Sequence, residues 1–161
     1  MTERQPVQYQ VAVVRRGPID AAIEAPPREV IRGGPPPEYG GDPAVWSPEH
    51  LLVASVALCF WSTLEWYAKR KGVPVATFEC RAEGSVEKTD GGLAFTEIRL
   101  AVVATTSVGS ELALRELVQT AKKSCLVARS LACPVDLVAD VKTDVPTDVE
   151  RRGETLSGRG W

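Results

Sequence analysis

Four cysteines, Cys59, Cys80, Cys125 and Cys133, and a single histidine, His50, are the residues of this chain best suited to nucleophilic or metal chemistry. Only the thiolate form of cysteine is a good nucleophile, and a free thiol titrates near about 8.5, so a reactive cysteine needs a neighbour that stabilises its anion. No two cysteines are spaced as Cys-x-x-Cys. Zinc ligands usually come in such close pairs, so a site built from Cys59, Cys125, Cys133 and His50 has weak support. In a reducing compartment, cysteines stay open as thiols rather than closing into structural bridges. Redox chemistry, metal binding and plain packing all stand as readings of these side chains.

The chain that must position them has 161 residues, 44% hydrophobic and 25% charged, which is the range of one ordinary globular domain. Its formal charge of −2 offers no electrostatic footprint for a nucleic-acid backbone or an anionic membrane. The polar stretch Met1 to Gln10 lacks the apolar segment of a secretory signal, and no uninterrupted apolar run approaches the roughly 20 residues that a bilayer requires. The expectation is a cytoplasmic chain without membrane partners.

The best specified element is a helix over 48–71. Ser47 can cap it, Pro48 suits the first helical position, where a missing N–H costs nothing, and Glu49 complements the positive end of the dipole. At the other end Lys69, Arg70 and Lys71 complement the last turn, Gly72 can adopt the left-handed cap, and Pro74 forbids continuation. Its middle, Leu51 to Leu64, is apolar on nearly every face, so protein should surround it. Upstream, Val7 to Val14 reads as a first strand. Residues 21–45 hold half of the prolines and allow only short strands at Ala21–Ile23 and Val30–Ile31, joined by a long loop. Downstream, Val73–Glu87 and Leu93–Thr106 form a hairpin around Lys88–Gly92. Ser110–Lys123 is an amphipathic helix with Leu114, Leu117, Val118 and Ala121 at core spacing, and Pro134–Val141 is a last strand. The domain is expected to span 1–141, with 142–161 as a polar extension.

The segments SPEHLLVASVALC and YAKRKGVPV, the hairpin, and the second cysteine in AKKSC together resemble the OsmC/Ohr family of thiol peroxidases over roughly residues 30–141. The wording PPPEYGGDPAVWSPEHLL is closer to the broad OsmC-like branch than to the dedicated organic-hydroperoxide-resistance branch. The resemblance implies an α+β fold in which a curved antiparallel sheet wraps a long buried helix, and two chains intertwine as a homodimer with active sites at the interface. It implies a peroxidase that reduces organic or lipid hydroperoxides, with no cofactor, metal or haem. A dithiol, either a lipoyl group or a small dithiol, would regenerate it.

On that resemblance Cys59 is the cysteine that attacks the O–O bond and becomes a sulfenic acid, and Cys125 resolves it as a disulfide. Leu126 stands where relatives commonly carry proline. Local features alone also accommodate Cys59 as a packing cysteine and Cys125 as a helix-end cysteine tucked into the core. Ser124 could cap a short following helix and so place Cys125 where the dipole favours thiolate. Cys133 is the alternative resolver, and Cys80 is structural. Glu49 matches the family glutamate that holds an arginine against the reactive sulfur, and Arg32 is the first candidate for that arginine, ahead of Arg28, Arg15 and Arg16. Ten helical residues rise about 15 Å, so Glu49 cannot approach Cys59 of its own straight helix, and antiparallel packing of two such helices could supply it from another subunit. The plainer reading of Glu49 is a dipole partner, and His50 is given no role. Of Trp46, Phe60, Trp61, Trp66 and Tyr67, most should be core, with one or two lining an apolar channel. The alternative function is a binding or redox-responsive module with little turnover.

Overall fold

The computed structural model describes residues 6–144, which fall into two compact units divided inside the long helix, between Leu52 and Val53. The first unit carries a three-stranded antiparallel sheet, β1 (Ala12–Arg15), β2 (Ala21–Glu24) and β3 (Ile31–Gly33), in that order. β1 is shorter than expected because β2 offers it four partners, from Glu24 opposite Ala12 to Ala21 opposite Arg15. Arg16 and Gly17 close the turn by donating their N–H groups to the Asp20 carbonyl. The proline-rich stretch forms one 3₁₀ turn, Pro37–Tyr39. Gly41 then passes so near the Pro35 carbonyl that a Cβ would lie 1.5 Å from its oxygen, so only glycine fits there.

Helix α1 spans Pro48–Lys71, as its caps predict. Ser47 Oγ accepts the His50 N–H at 3.2 Å, and the Ser47 carbonyl accepts the Leu51 N–H. At the far end Gly72 sits at φ +65°, and Val73 N–H reaches back to the Ala68 carbonyl at 3.0 Å, closing the helix.

In the second unit β4 (Thr77–Thr89) and β5 (Gly92–Thr106) pair antiparallel around the two-residue turn Asp90–Gly91. Helices α2 (Glu111–Ser124) and α3 (Leu126–Arg129) follow, and then β6 (Val135–Thr143) lies parallel to β5. The sheet is therefore mixed rather than purely antiparallel. α2 and α3 carry the chain back along the sheet before β6 starts, which is the kind of crossover a parallel pair needs. β6 also runs two residues into the segment expected to be a polar extension, because Thr105 and Thr106 of β5 continue the ladder opposite Lys142 and Thr143. The rest of that expected extension, from residue 145 on, lies outside the described residues.

β5 turns Ile98, Leu100, Val102 and Ala104 into the core. There they join Leu114, Leu117, Val118 and Ala121 of α2 and the α1 stripe Val56, Phe60, Leu64 and Ala68. That stripe repeats every four residues, one helical face. The expectation that protein surrounds α1 does not hold within this chain: Leu58 remains 66% and Trp66 52% exposed. One three-stranded sheet and one short helix cover a single side of a helix this apolar. By length and mean hydropathy alone α1 is long and apolar enough to cross a membrane, a test that a core helix also passes. Ser55, Ser62 and Thr63 break the run without lowering the average enough, and the buried stripe faces the protein's own core.

Phe60 is fully buried and stacks on Phe78 of β4 with ring centroids 6.2 Å apart. Phe60→Ala should cost about 3–5 kcal/mol of unfolding free energy through lost burial and the cavity left behind, read as a lowered urea midpoint.

Candidate redox site

Cys59 lies on α1 immediately before Phe60 and is therefore half-buried at the edge of the core stripe. Cys125 is fully buried at the extended joint where α2 ends and α3 begins, with φ −60° and ψ 113°. This joint brings the first amides of α3 to Cys59, whose Sγ accepts the Val127 N–H at 3.5 Å. The Cys125 thiol, the Leu126 N–H and the Thr63 hydroxyl, which donates to the Cys59 carbonyl at 2.8 Å, also favour an anion at this sulfur.

The two thiols respond in opposite directions. For Cys59 the largest single influence is burial, which opposes ionisation. The donors from Val127, Cys125, Leu126 and Thr63 together outweigh it, so the thiol is held below its ordinary value. For Cys125 burial again comes first and here it prevails. The Ala128 N–H favours the anion, but neighbouring Cys59 disfavours a second negative charge, and the thiol is pushed up. Cys59 is thus the more readily ionised member of the pair. The expectation that Ser124 caps α3 and that its dipole favours a Cys125 thiolate is corrected. Cys125 itself occupies the capping position without a side-chain cap bond, and the Ala128 and Val127 amides that favour its anion are outweighed by burial and by neighbouring Cys59.

Cys133 is half-buried in the turn ahead of β6 and packs on the core. Cys80 faces inward from β4, where burial pushes its thiol up, in keeping with a structural part. It borders a groove of about 630 Å³ lined also by Leu58, Trp61, Glu65 and Phe78. Trp61 packs on Phe78 at 4.5 Å and is the aromatic that lines this groove. Phe60 is core, and Trp66 is exposed beneath the Arg70 guanidinium at 4.7 Å. Tyr67 bonds through its hydroxyl to Ser124 at 3.1 Å.

Within the first unit, Glu49 places its Oε2 where water does not reach and where it has no hydrogen-bond partner among the described residues. Arg32 donates to Asp20 Oδ2 at 3.1 Å, Arg28 to the Ala25 carbonyl at 3.3 Å, Arg16 to Glu24 Oε1 at 2.6 Å and Arg15 to the Gly17 carbonyl at 2.8 Å. Each arginine candidate therefore has a partner of its own. His50 Nδ1 lies 2.8 Å from Ser47 Oγ, and its ring meets Trp46 edge-on. Among the described residues no three His, Cys, Asp or Glu side chains are grouped to hold a metal.

Sequence reasoning missed three donors to Cys59. The amides of Leu126 and Val127 carry no side-chain signature. Thr63 was detectable in principle, since it follows Cys59 by one helical turn.

The family model described as OsmC-like protein matches residues 40–139. No curated protein matches the chain. Among solved structures, an OsmC-like protein of unknown function from Vibrio cholerae superposes with a TM-score of 0.76 at 18% identity, covering 84% of this chain and 100% of that one. An organic hydroperoxide resistance protein from Elizabethkingia anophelis gives a TM-score of 0.65 at 15% identity, with 87% and 100% covered. The organic hydroperoxide resistance protein OhrB of Bacillus subtilis gives 0.56 at 24% identity, with 83% and 98% covered. These likenesses establish a shared α+β fold.

Proposed function

Because this chain belongs to the OsmC family of proteins, we propose that it is a thiol peroxidase that reduces organic hydroperoxides to alcohols, with Cys59 as the nucleophile and Cys125 as the resolving thiol. The observation that carries this reading is the Val127 N–H on the Cys59 sulfur at 3.5 Å, two residues beyond Cys125, with the Cys59 thiol held low and the Cys125 thiol pushed up beside it. In the first step the Cys59 thiolate attacks the O–O bond. An S–O bond forms, the alkoxide leaves and takes a proton to become the alcohol, and Cys59 becomes a sulfenic acid. In the second, the Cys125 sulfur displaces the sulfenic hydroxyl, giving a Cys59–Cys125 disulfide and water. An external dithiol, a lipoyl group or a small dithiol, then exchanges with the disulfide and leaves as its own cyclic disulfide.

The substrate class follows from the surface at the sulfur. Leu126, the residue before the Val127 amide that meets the Cys59 sulfur, is 67% exposed, an apolar neighbour suited to an alkyl or lipid tail. A homodimer is part of the proposal. The uncovered Leu58 and Trp66 of α1 and the exposed Val13 and Val14 of β1 are apolar surface that a second copy would bury. Glu49, with its open acceptor, and one of the arginines, Arg32 first, are proposed to complete the site across that interface. A cytoplasmic location fits a thiol pair that an intracellular dithiol must reduce.

The test is treatment with one equivalent of cumene hydroperoxide followed by peptide mass mapping under non-reducing conditions. The expected product is a Cys59–Cys125 disulfide within a single chain, with Cys80 and Cys133 free. Absence of this linkage, together with no hydroperoxide consumption in dithiothreitol, would leave the binding or redox-responsive module as the better reading.

A further inference from the structure

The joint that carries Cys125 is tied to α1 on both sides of that residue. Beyond it, the Val127 N–H donates to the Cys59 sulfur at 3.5 Å. Before it, Ser124, the last residue of α2, shares a hydrogen bond of 3.1 Å with the Tyr67 hydroxyl. Tyr67 follows Cys59 by a little over two turns of α1, about 12 Å along the axis. The joint does little to hold itself. Cys125 is extended, α3 has no side-chain cap, and its single turn is too short to persist without tertiary contacts. The Tyr67 ring, by contrast, is well fixed. It packs on the core and meets Trp66 edge-on at 4.8 Å, while the Arg70 guanidinium covers Trp66 at 4.7 Å.

We infer that Tyr67 is a positioning residue, whose hydroxyl holds Ser124 and so keeps Cys125 and the Val127 amide in register with the Cys59 sulfur. A segment attached at one point can swing about it, and a second attachment removes that freedom. Both hydroxyl-bearing residues are half-buried, so water can satisfy either hydroxyl when the other is removed. The loss then falls on placement more than on stability. It falls on both roles of the joint. A less constrained Val127 amide supports the Cys59 anion less well. A less constrained Cys125 closes more slowly on a sulfenic acid at Cys59, where its sulfur displaces the hydroxyl to give the disulfide and water. Such placement acts steeply, since a misplacement of about 1 Å can cost about 10²-fold in rate. Cys125 is the titratable group that acts on Cys59, and the other influences on that sulfur are the Leu126 and Val127 amides and Thr63.

The inference deepens the peroxidase reading and rests on it for its purpose, but its test does not require turnover. Wild type, Tyr67→Phe, Ser124→Ala, the double variant and Ser124→Thr are compared in two ways. One is the pH midpoint of iodoacetamide alkylation on the Cys59 peptide. The other is the rate at which diamide, an azo oxidant that takes up the two electrons and two protons the thiols release, closes the Cys59–Cys125 disulfide within a chain. Tyr67→Phe should raise the midpoint by about half a pH unit, part of the value of a hydrogen bond to a charged group, and should slow closure about tenfold. Ser124→Ala should match it. The double variant should be no worse than either single one, because both remove the same bond. Ser124→Thr keeps the hydroxyl and should restore wild-type behaviour. A wild-type midpoint and closure rate in Tyr67→Phe would overturn the inference, and so would additive losses in the double variant or a Ser124→Thr that behaves as Ser124→Ala. If wild type consumes no hydroperoxide while Tyr67→Phe shifts the midpoint and slows closure, the peroxidase reading fails and the positioning role of Tyr67 stands.

Discussion

Cys59→Ser is expected to lower hydroperoxide consumption by about 10³-fold or more, to the background of the reductant alone, because an alcohol is not ionised near neutral pH and cannot replace a thiolate as nucleophile. The substitution removes one sulfur from a half-buried helix position and leaves the core stripe Val56, Phe60, Leu64 and Ala68 untouched, so the unfolding midpoint should change little. The measurement is cumene hydroperoxide turnover with dithiothreitol in both proteins. The wild-type rate should also rise with pH and level off earlier than a free thiol would, because the donors from Val127, Cys125, Leu126 and Thr63 outweigh burial and keep Cys59 below the ordinary thiol range. Equal slow rates in wild type and variant would sink the enzyme.

The second large effect is expected at Cys125. In Cys125→Ser the hydroxyl preserves a donor to the Cys59 sulfur, so the first step should survive and one equivalent of hydroperoxide should disappear in a burst. The sulfenic acid then has no partner thiol, and excess hydroperoxide should carry Cys59 to the sulfinic state, a mass gain of two oxygens on its peptide. Sustained turnover with a dithiol should stop. Cys133→Ser should leave it intact, because Cys133 packs on the core from the turn before β6, whereas Cys125 and Cys59 influence each other's ionisation. Undiminished turnover in Cys125→Ser would remove this residue from the resolving role.

The elements that position these sulfurs were legible where the signals are local. Ser47, Pro48, Gly72 and Pro74 bound α1 because capping and left-handed closure act within a few residues. Asp90–Gly91 defined the hairpin, and the spacing of Leu114, Leu117, Val118 and Ala121 defined the inward face of α2. The parallel placement of β6 was not legible. A strand's own alternation does not state its direction, and the crossover through α2 and α3 decides it. The cover over α1 lies only partly within this chain, because an apolar surface demands burial but does not say which chain provides it.

By itself the sequence determined where α1 begins and ends and which residues face the core, because those features follow from interactions between neighbours along the chain. The pairing of Cys59 with Cys125 came from the family resemblance. Only the tertiary structure decided which thiol ionises. That outcome depends on an N–H donor 68 residues away in sequence, Val127, brought to Cys59 by the joint at Cys125. A backbone amide is the same in every residue except proline, so its place in a site is set by folding rather than by residue type.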